Sequence, residues 1–270
     1  MTAASNTETA ELRGVTPAAD QFEIGNSSHT AIKASVLVPQ DIVEPLPDQL
    51  LYYLHQELDR QGFRLRSLPD RRLLHLEELL IARLFSIHEK CEALNILRQH
   101  CQATAIASRV VAEEVGLAPD MTYLCGWLHD IGIASCLRQL IHFFPTASPL
   151  DLAPLWPTVL RSNGAHAIHM CMRWRLPSGL RYAVRDHLNI ETLRRPAMVA
   201  AATVIAESIV GELGFAFISS NGTPSRSLPI ACARLGINER RLVGLACQID
   251  ARLGRDVRSQ RPTGISLPSR

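Results

Sequence analysis

The sequence predicts an all-α protein, and three observations carry that prediction. Apolar residues recur at three- and four-residue spacing along most of the chain. Glycines and prolines punctuate those periodic stretches, and no stretch keeps the strict alternation of a half-buried strand. With 47% hydrophobic and 20% charged residues among 270, the chain has enough apolar material for a sizeable core.

Taken in order, residues 1–40 are rich in Thr, Ala, Ser and Asn with no sustained period, as expected of an N-terminal arm. Residues 41–91 read as a helical extension. Its first helical period runs over Asp48–Leu58, and Ser67-Leu68-Pro69-Asp70 leads into a second helix over 72–81. The main helical domain is expected over 92–256. It opens with a long helix from Ile96 to Val115, ended by Gly116, and Pro119-Asp120 starts the next, apolar through Leu128. Further helices are expected over 131–143, 150–162, 164–174, 178–188, 196–213 and 239–253. Pro177, Pro196, Gly214 and Gly236 supply breaks between them. Residues 257–270 read as a tail.

Composition excludes several classes of function. A net charge of +2 gives no global field toward nucleic acid or an anionic membrane, so neither is an expected partner. The N-terminus carries acidic residues and no apolar core, unlike a signal peptide. The apolar run Met198–Ala206 stops at Glu207, far too short to span a bilayer. Seven cysteines without a CxxC spacing read as reduced, packed thiols in a cytoplasmic protein. There is no phosphate-cradling glycine loop, nucleophile elbow or zinc-finger spacing.

One stretch carries chemistry. Gly126-Trp127-Leu128-His129-Asp130-Ile131-Gly132-Ile133 places an adjacent histidine and aspartate in an apolar run. Mid-helix neighbours point about 100° apart, so the two converge only at a helix end or kink, which Gly132 would allow. Burying both unpaired would cost several kcal/mol, and a metal ion satisfies both at once. The bland arrangement stays open beside it: His129 bonding a backbone carbonyl, and Asp130 capping the following helix.

The LHDIG stretch, preceded by a long helix carrying Arg98-Gln99-His100-Cys101, resembles the HD superfamily of metal-dependent phosphohydrolases. More closely it is similar to the HDOD branch, the HD-related output domains of bacterial signalling proteins. Trp174-Arg175-Leu176-Pro177 with His187 downstream, the aliphatic helix 197–206, and Ala233-Arg234-Leu235-Gly236 continue the resemblance over roughly residues 92–253. It implies an HD-like helical bundle and metal ligands at His100, His129 and Asp130, with His187 as a fourth. His166 and Glu207 stand as further ligand candidates. The implied ion is one of the Zn, Fe or Ni class.

The same comparison marks losses. Thr203 stands where the hydrolases carry a distant aspartate. Ile133 replaces the lysine of the cyclic-dinucleotide phosphodiesterases, Asn163 falls at the middle histidine, and no Gly-Tyr-Pro follows His187. The resemblance therefore implies a signalling or regulatory module that works through protein partners without catalysis. A metal-dependent phosphohydrolase acting on a nucleotide or another phosphoester is the alternative. Six arginines against Asp186 and Glu191 between Arg173 and Arg195 leave a local excess of four positive charges. They form either a solvated pair of helix faces or a surface for an acidic partner or a phosphate, with Arg181 and Arg185 central to it. Trp127 and Trp174 fit core positions.

Overall fold

The computed structural model describes residues 48, 51, 77–85, 91–141, 152–193, 197–217 and 227–256. The expected arm (1–40) and tail (257–270), most of the helix expected over 48–58, and Arg194 and Arg195 lie outside those residues. Every described element is helical, with no strand among the described residues.

The longest element, α1 (Glu92–Val115), starts four residues before the predicted Ile96. Its buried positions Leu94, Leu97, Cys101, Thr104, Ser108 and Val111 keep the three-to-four spacing that makes one face of a helix. Glu92 in the first turn favours the positive end of the helix dipole. Gly116 closes the helix at φ 71°, a left-handed conformation that costs glycine little.

Pro119 at the first turn opens α2 (Pro119–Leu128), where its missing N–H has no helical partner to lose. The Arg109 guanidinium of α1 lies 3.4 Å from the wholly buried Asp120 carboxylate and ties the two helices. Gly126 brings α1 and α2 together backbone to backbone: a Cβ there would lie 2.5 Å from Ala105 Cα and 2.8 Å from the Thr104 carbonyl.

After the two-residue break at His129 and Asp130, α3 (Ile131–Ile141) is buried along its whole length. Its Gly132 has a role other than the expected kink. A Cβ there would fall on the carbonyl and side-chain oxygens of Asn163, so glycine is what lets α4 pack against the start of α3. A 3₁₀ turn, Ala153–Leu155, leads into α4 (Trp156–Arg173). The sequence predicted two helices here, 150–162 and 164–174. One continuous helix forms because the buried face Val159, Asn163, His166, Met170 keeps its period straight across that junction. Just past the end of α4, Arg175 has φ 49°, a non-glycine residue held left-handed between buried Trp174 and Leu176.

Next come α5 (Ser178–His187) and α6 (Met198–Val210), which runs into a widened turn, Gly211–Phe215, closing at Gly214 with φ 85°. A helix not expected from the sequence, α7 (Ser227–Leu235), carries Pro229 in its first turn, where proline is tolerated. Last is α8 (Glu239–Asp256).

Helix α6 is central, packed against α1, α2, α5 and α7. Small side chains on α1 (Ala103, Ala107) and α6 (Ala201, Ala202, Ala206) share one core with Leu245 and Ile249 of α8. By length and composition Met198–Phe215 could cross a membrane, yet 61% of it is buried inside the fold, as befits a core helix. Trp127 and Trp174 are fully buried core residues.

The two glycine contacts make a paired prediction. Gly132→Ala forces backbone apart and should cost about 3 kcal/mol, lowering the melting temperature by roughly 6–12 °C. At Gly164 the nearest atom to an added Cβ is Leu188 Cδ1 at 3.9 Å, so Gly164→Ala should stabilise by about 0.5–1 kcal/mol through helix propensity. Thermal melts of both variants check the contrast.

Candidate metal centre

Helix α1 carries His100, the α2–α3 break carries His129 and Asp130, the last turn of α5 carries His187, and α6 carries Glu207. The break matters because its backbone lets adjacent side chains meet: His129 Nε2 lies 3.3 Å from Asp130 Oδ2. The close approach of α1 at Gly126 brings His100 Nε2 to 3.0 Å from His129 Nε2 and 3.6 Å from Asp130 Oδ2. Three donor atoms from three buried residues thus face one point. Separations of 3.0–3.6 Å are those between neighbouring ligands of an ion whose bonds are about 2.0–2.2 Å.

The remaining ring nitrogens fix the tautomers. His100 Nδ1 donates to the Phe215 carbonyl at 2.8 Å, and His129 Nδ1 donates to the Gly126 carbonyl at 2.7 Å. A carbonyl only accepts, so both Nδ1 atoms carry hydrogen, and each neutral ring turns a bare Nε2 lone pair toward the other. Two lone pairs 3.0 Å apart, beside a carboxylate oxygen, repel unless a cation sits among them. That cation is either a proton or a metal ion. The carbonyl bond anticipated for a metal-free His129 is present, but on the nitrogen facing away from the cluster.

A second group adjoins the first. His187 Nε2 lies 3.3 Å from Glu207 Oε2, and these two residues gather with His129 into another set of converging donors. The His187 Nδ1 atom is buried with no hydrogen-bond partner. Glu207 keeps 38% of its side-chain surface, which makes it the open side of the cluster. Counted together, three neutral imidazoles and two carboxylates balance the charge of one divalent ion, and this nitrogen–oxygen set suits first-row transition metals.

The electrostatics of the metal-free cluster follow from the same contacts. Burial pushes the His100 imidazole below its ordinary value, and the neighbouring His129 adds to that. Burial also acts to lower His129, but Asp130, Glu207 and the Gly126 carbonyl outweigh it and lift the group to about 9. For Asp130, burial acts upward and loses to His129, His100 and His187, which hold the carboxyl well below the usual range. Glu207 is likewise lowered, its desolvation outweighed by the His187 hydrogen bond and the charge of His129. Without metal, then, the proton rests on His129. Cys101, close to Asp130 and Glu207, is pushed well above the ordinary thiol range by burial, so it stays a thiol there.

Other residues singled out from the sequence sit elsewhere. His166 is buried, with Nδ1 3.2 Å from Ser135 Oγ, and is not among the converging donors. Arg181 reaches the Met172 sulfur at 2.9 Å, while Arg185 bonds Asp186 at 2.7 and 3.0 Å and lies over the Tyr182 ring. Thr203 donates to its own helix at Val199, and Ile133 is buried. Asn163 is buried against Gly132 with its Oδ1 unpartnered. The sequence reading anticipated a carbonyl partner for His129 without naming it, and none for His100. Gly126, one turn before His129, had a readable spacing; Phe215, 115 residues from His100, had none.

No family model and no curated protein matches the chain. Two solved structures are similar to it. An HDOD domain protein of unknown function from Geobacter sulfurreducens shares 18% identity over 82% of each chain, with a TM-score of 0.49. A protein titled "putative phosphohydrolase" from Shewanella amazonensis shares 15% identity over 76% of this chain and 79% of that one, with a TM-score of 0.48.

The proton on His129 gives a pH prediction. A group raised in the folded state stabilises fully below its unfolded value, about 6.5, and that contribution is lost as pH rises through the folded value of about 9. Chelator-treated protein should therefore lose thermal stability between about pH 6.5 and 9. Over the same window metal must displace one proton, so its apparent affinity should rise by about tenfold per pH unit, measurable by competition with a chromogenic chelator.

Proposed function

We propose that this chain is an HDOD-like regulatory module that holds one divalent transition-metal ion of the Zn, Fe or Ni class. His100, His129 and Asp130 would bind it, with His187 and Glu207 completing the surroundings. The observation that carries the metal is the pair of tautomer-locked imidazoles whose Nε2 atoms lie 3.0 Å apart. Carbonyl partners on the far nitrogens are the outer-shell contacts that orient metal-bound histidines.

A structural or sensory role is favoured over turnover by what surrounds the ion. Catalytic sites keep a coordination position open for water or substrate; here His187 and Glu207 gather with His129 beside the His100, His129 and Asp130 group, placed to fill what those three leave open. Such a module would act in bacterial signal transduction, in the cytoplasm, through contacts with other proteins.

One feature favours the second reading, a metal-dependent phosphohydrolase. Glu207 lies one turn beyond Thr203 on α6 and brings a partly exposed carboxylate to the cluster. That supplies the acidic group lost at Thr203, on the side where a phosphoester and water would enter. Glu207 would hold the ion or accept a proton from that water, while the ion would supply Lewis-acid activation.

The full chain, purified without a histidine tag, should contain about one equivalent of metal by mass spectrometry, and His129→Ala/Asp130→Ala should lose it. The loaded protein should leave bis-p-nitrophenyl phosphate intact. Metal-dependent hydrolysis that disappears in Glu207→Gln would establish the second reading, and a folded wild type free of metal would sink both.

A further inference from the structure

The solvent side of α4 is apolar where an amphipathic surface helix should be polar. Leu160 and Ile168 each keep 49% of their surface and Met172 keeps 58%, at positions four or eight apart that fall on one side of the helix. Gly164 lies between them, partly exposed, and a Cβ added there would make an ordinary van der Waals contact with Leu188 Cδ1 at 3.9 Å. The Arg181 contact to the Met172 sulfur joins α5 to this stripe, and Tyr182, the next residue of α5, is 48% exposed. Among the described residues, three of the five large apolar side chains left exposed lie on this side of α4.

Its charge is one-sided. From Trp156 to His187 the chain has five arginines, no lysine, and a single acidic residue, Asp186, which is buried and paired with Arg185.

We infer that this α4–α5 face is a docking surface for an acidic amphipathic helix of a partner protein. Leucine-type side chains would lie along Leu160, Gly164, Ile168 and Met172, and the flanking carboxylates would meet the arginines. The inference rests on the reading of the chain as a module that works through protein contacts, and it names the partner's chemistry.

Charge and composition single out this occupant. A second copy would present the same positive face to itself, and like charges oppose that pairing. Met, Tyr and Arg without Lys is the composition of protein interfaces, and guanidinium forks match carboxylates in paired geometry. Arg185 is already oriented by Asp186 and the Tyr182 ring, so less freedom is lost when it is engaged.

The test uses the full chain and a fluorescein-labelled helical peptide built from Leu, Glu and Ala, with a second peptide carrying Lys for every Glu. Fluorescence anisotropy should show the acidic peptide binding at least about tenfold more tightly than the basic one. Ile168→Asp and, separately, Arg181→Glu should each weaken it by about tenfold or more, with unchanged melting curves; Met172→Glu gives a second reading of the apolar stripe. Equal binding of the two peptides, or variants that bind as well as wild type, would overturn the proposal. So would Ile168-dependent capture on phosphatidylserine vesicles in place of peptide binding, or an Ile168-dependent dimer in sedimentation. Hydrolysis of bis-p-nitrophenyl phosphate would sink the regulatory reading while anisotropy still decides the docking face.

Discussion

Two imidazoles with their outer nitrogens tied to carbonyls cannot sit with their inner nitrogens 3.0 Å apart unless something positive lies between them. The centre of this fold depends on that constraint. Helices α1, α2, α5 and α6 each contribute to the cluster or to the carbonyls around it, and burial leaves little water to relax the conflict. In the protein alone a proton on His129 serves, held by Asp130 and Glu207. A divalent ion would serve as well and would balance both carboxylates, so proton and metal compete for one place.

The packing around the cluster is built for proximity. Gly126 removes the side chain that would hold α1 away from α2, and Gly132 does the same between α3 and α4. Neither has an unusual backbone angle; each is a matter of space. The break that carries His129 and Asp130 lies between these two close approaches, so both sides of the motif are fixed by contacts that admit no added side chain.

The sequence showed some of this and hid the rest for physical reasons. Helical period along α1, α2 and α8 was readable because a buried face repeats at fixed spacing. The expected break between helices 150–162 and 164–174 did not form, because the buried face of α4 is continuous across residue 163. The short α7 was missed because nine residues with a proline in the first turn give little period to recognise. His100, His129 and Asp130 were legible through resemblance, and Glu207 through its one-turn spacing from Thr203. The Phe215 carbonyl was invisible, since a backbone acceptor carries no signature of its own, and the exposed side of α4 emerged only once the neighbours of each helix position were known.

The bond from His100 to Phe215 gives the end of α6 a length requirement. Terminal carbonyls of a helix must find partners outside it, and here one of them orients a ring 115 residues earlier in the chain. Phe215 follows Glu207 by eight positions, through the widened turn that holds Gly214. Adding or deleting one residue in that span would rotate the last carbonyl by about 100° relative to Glu207, and the two could no longer serve the same cluster. This stretch therefore works as a ruler: it tolerates a changed side chain far better than a changed count.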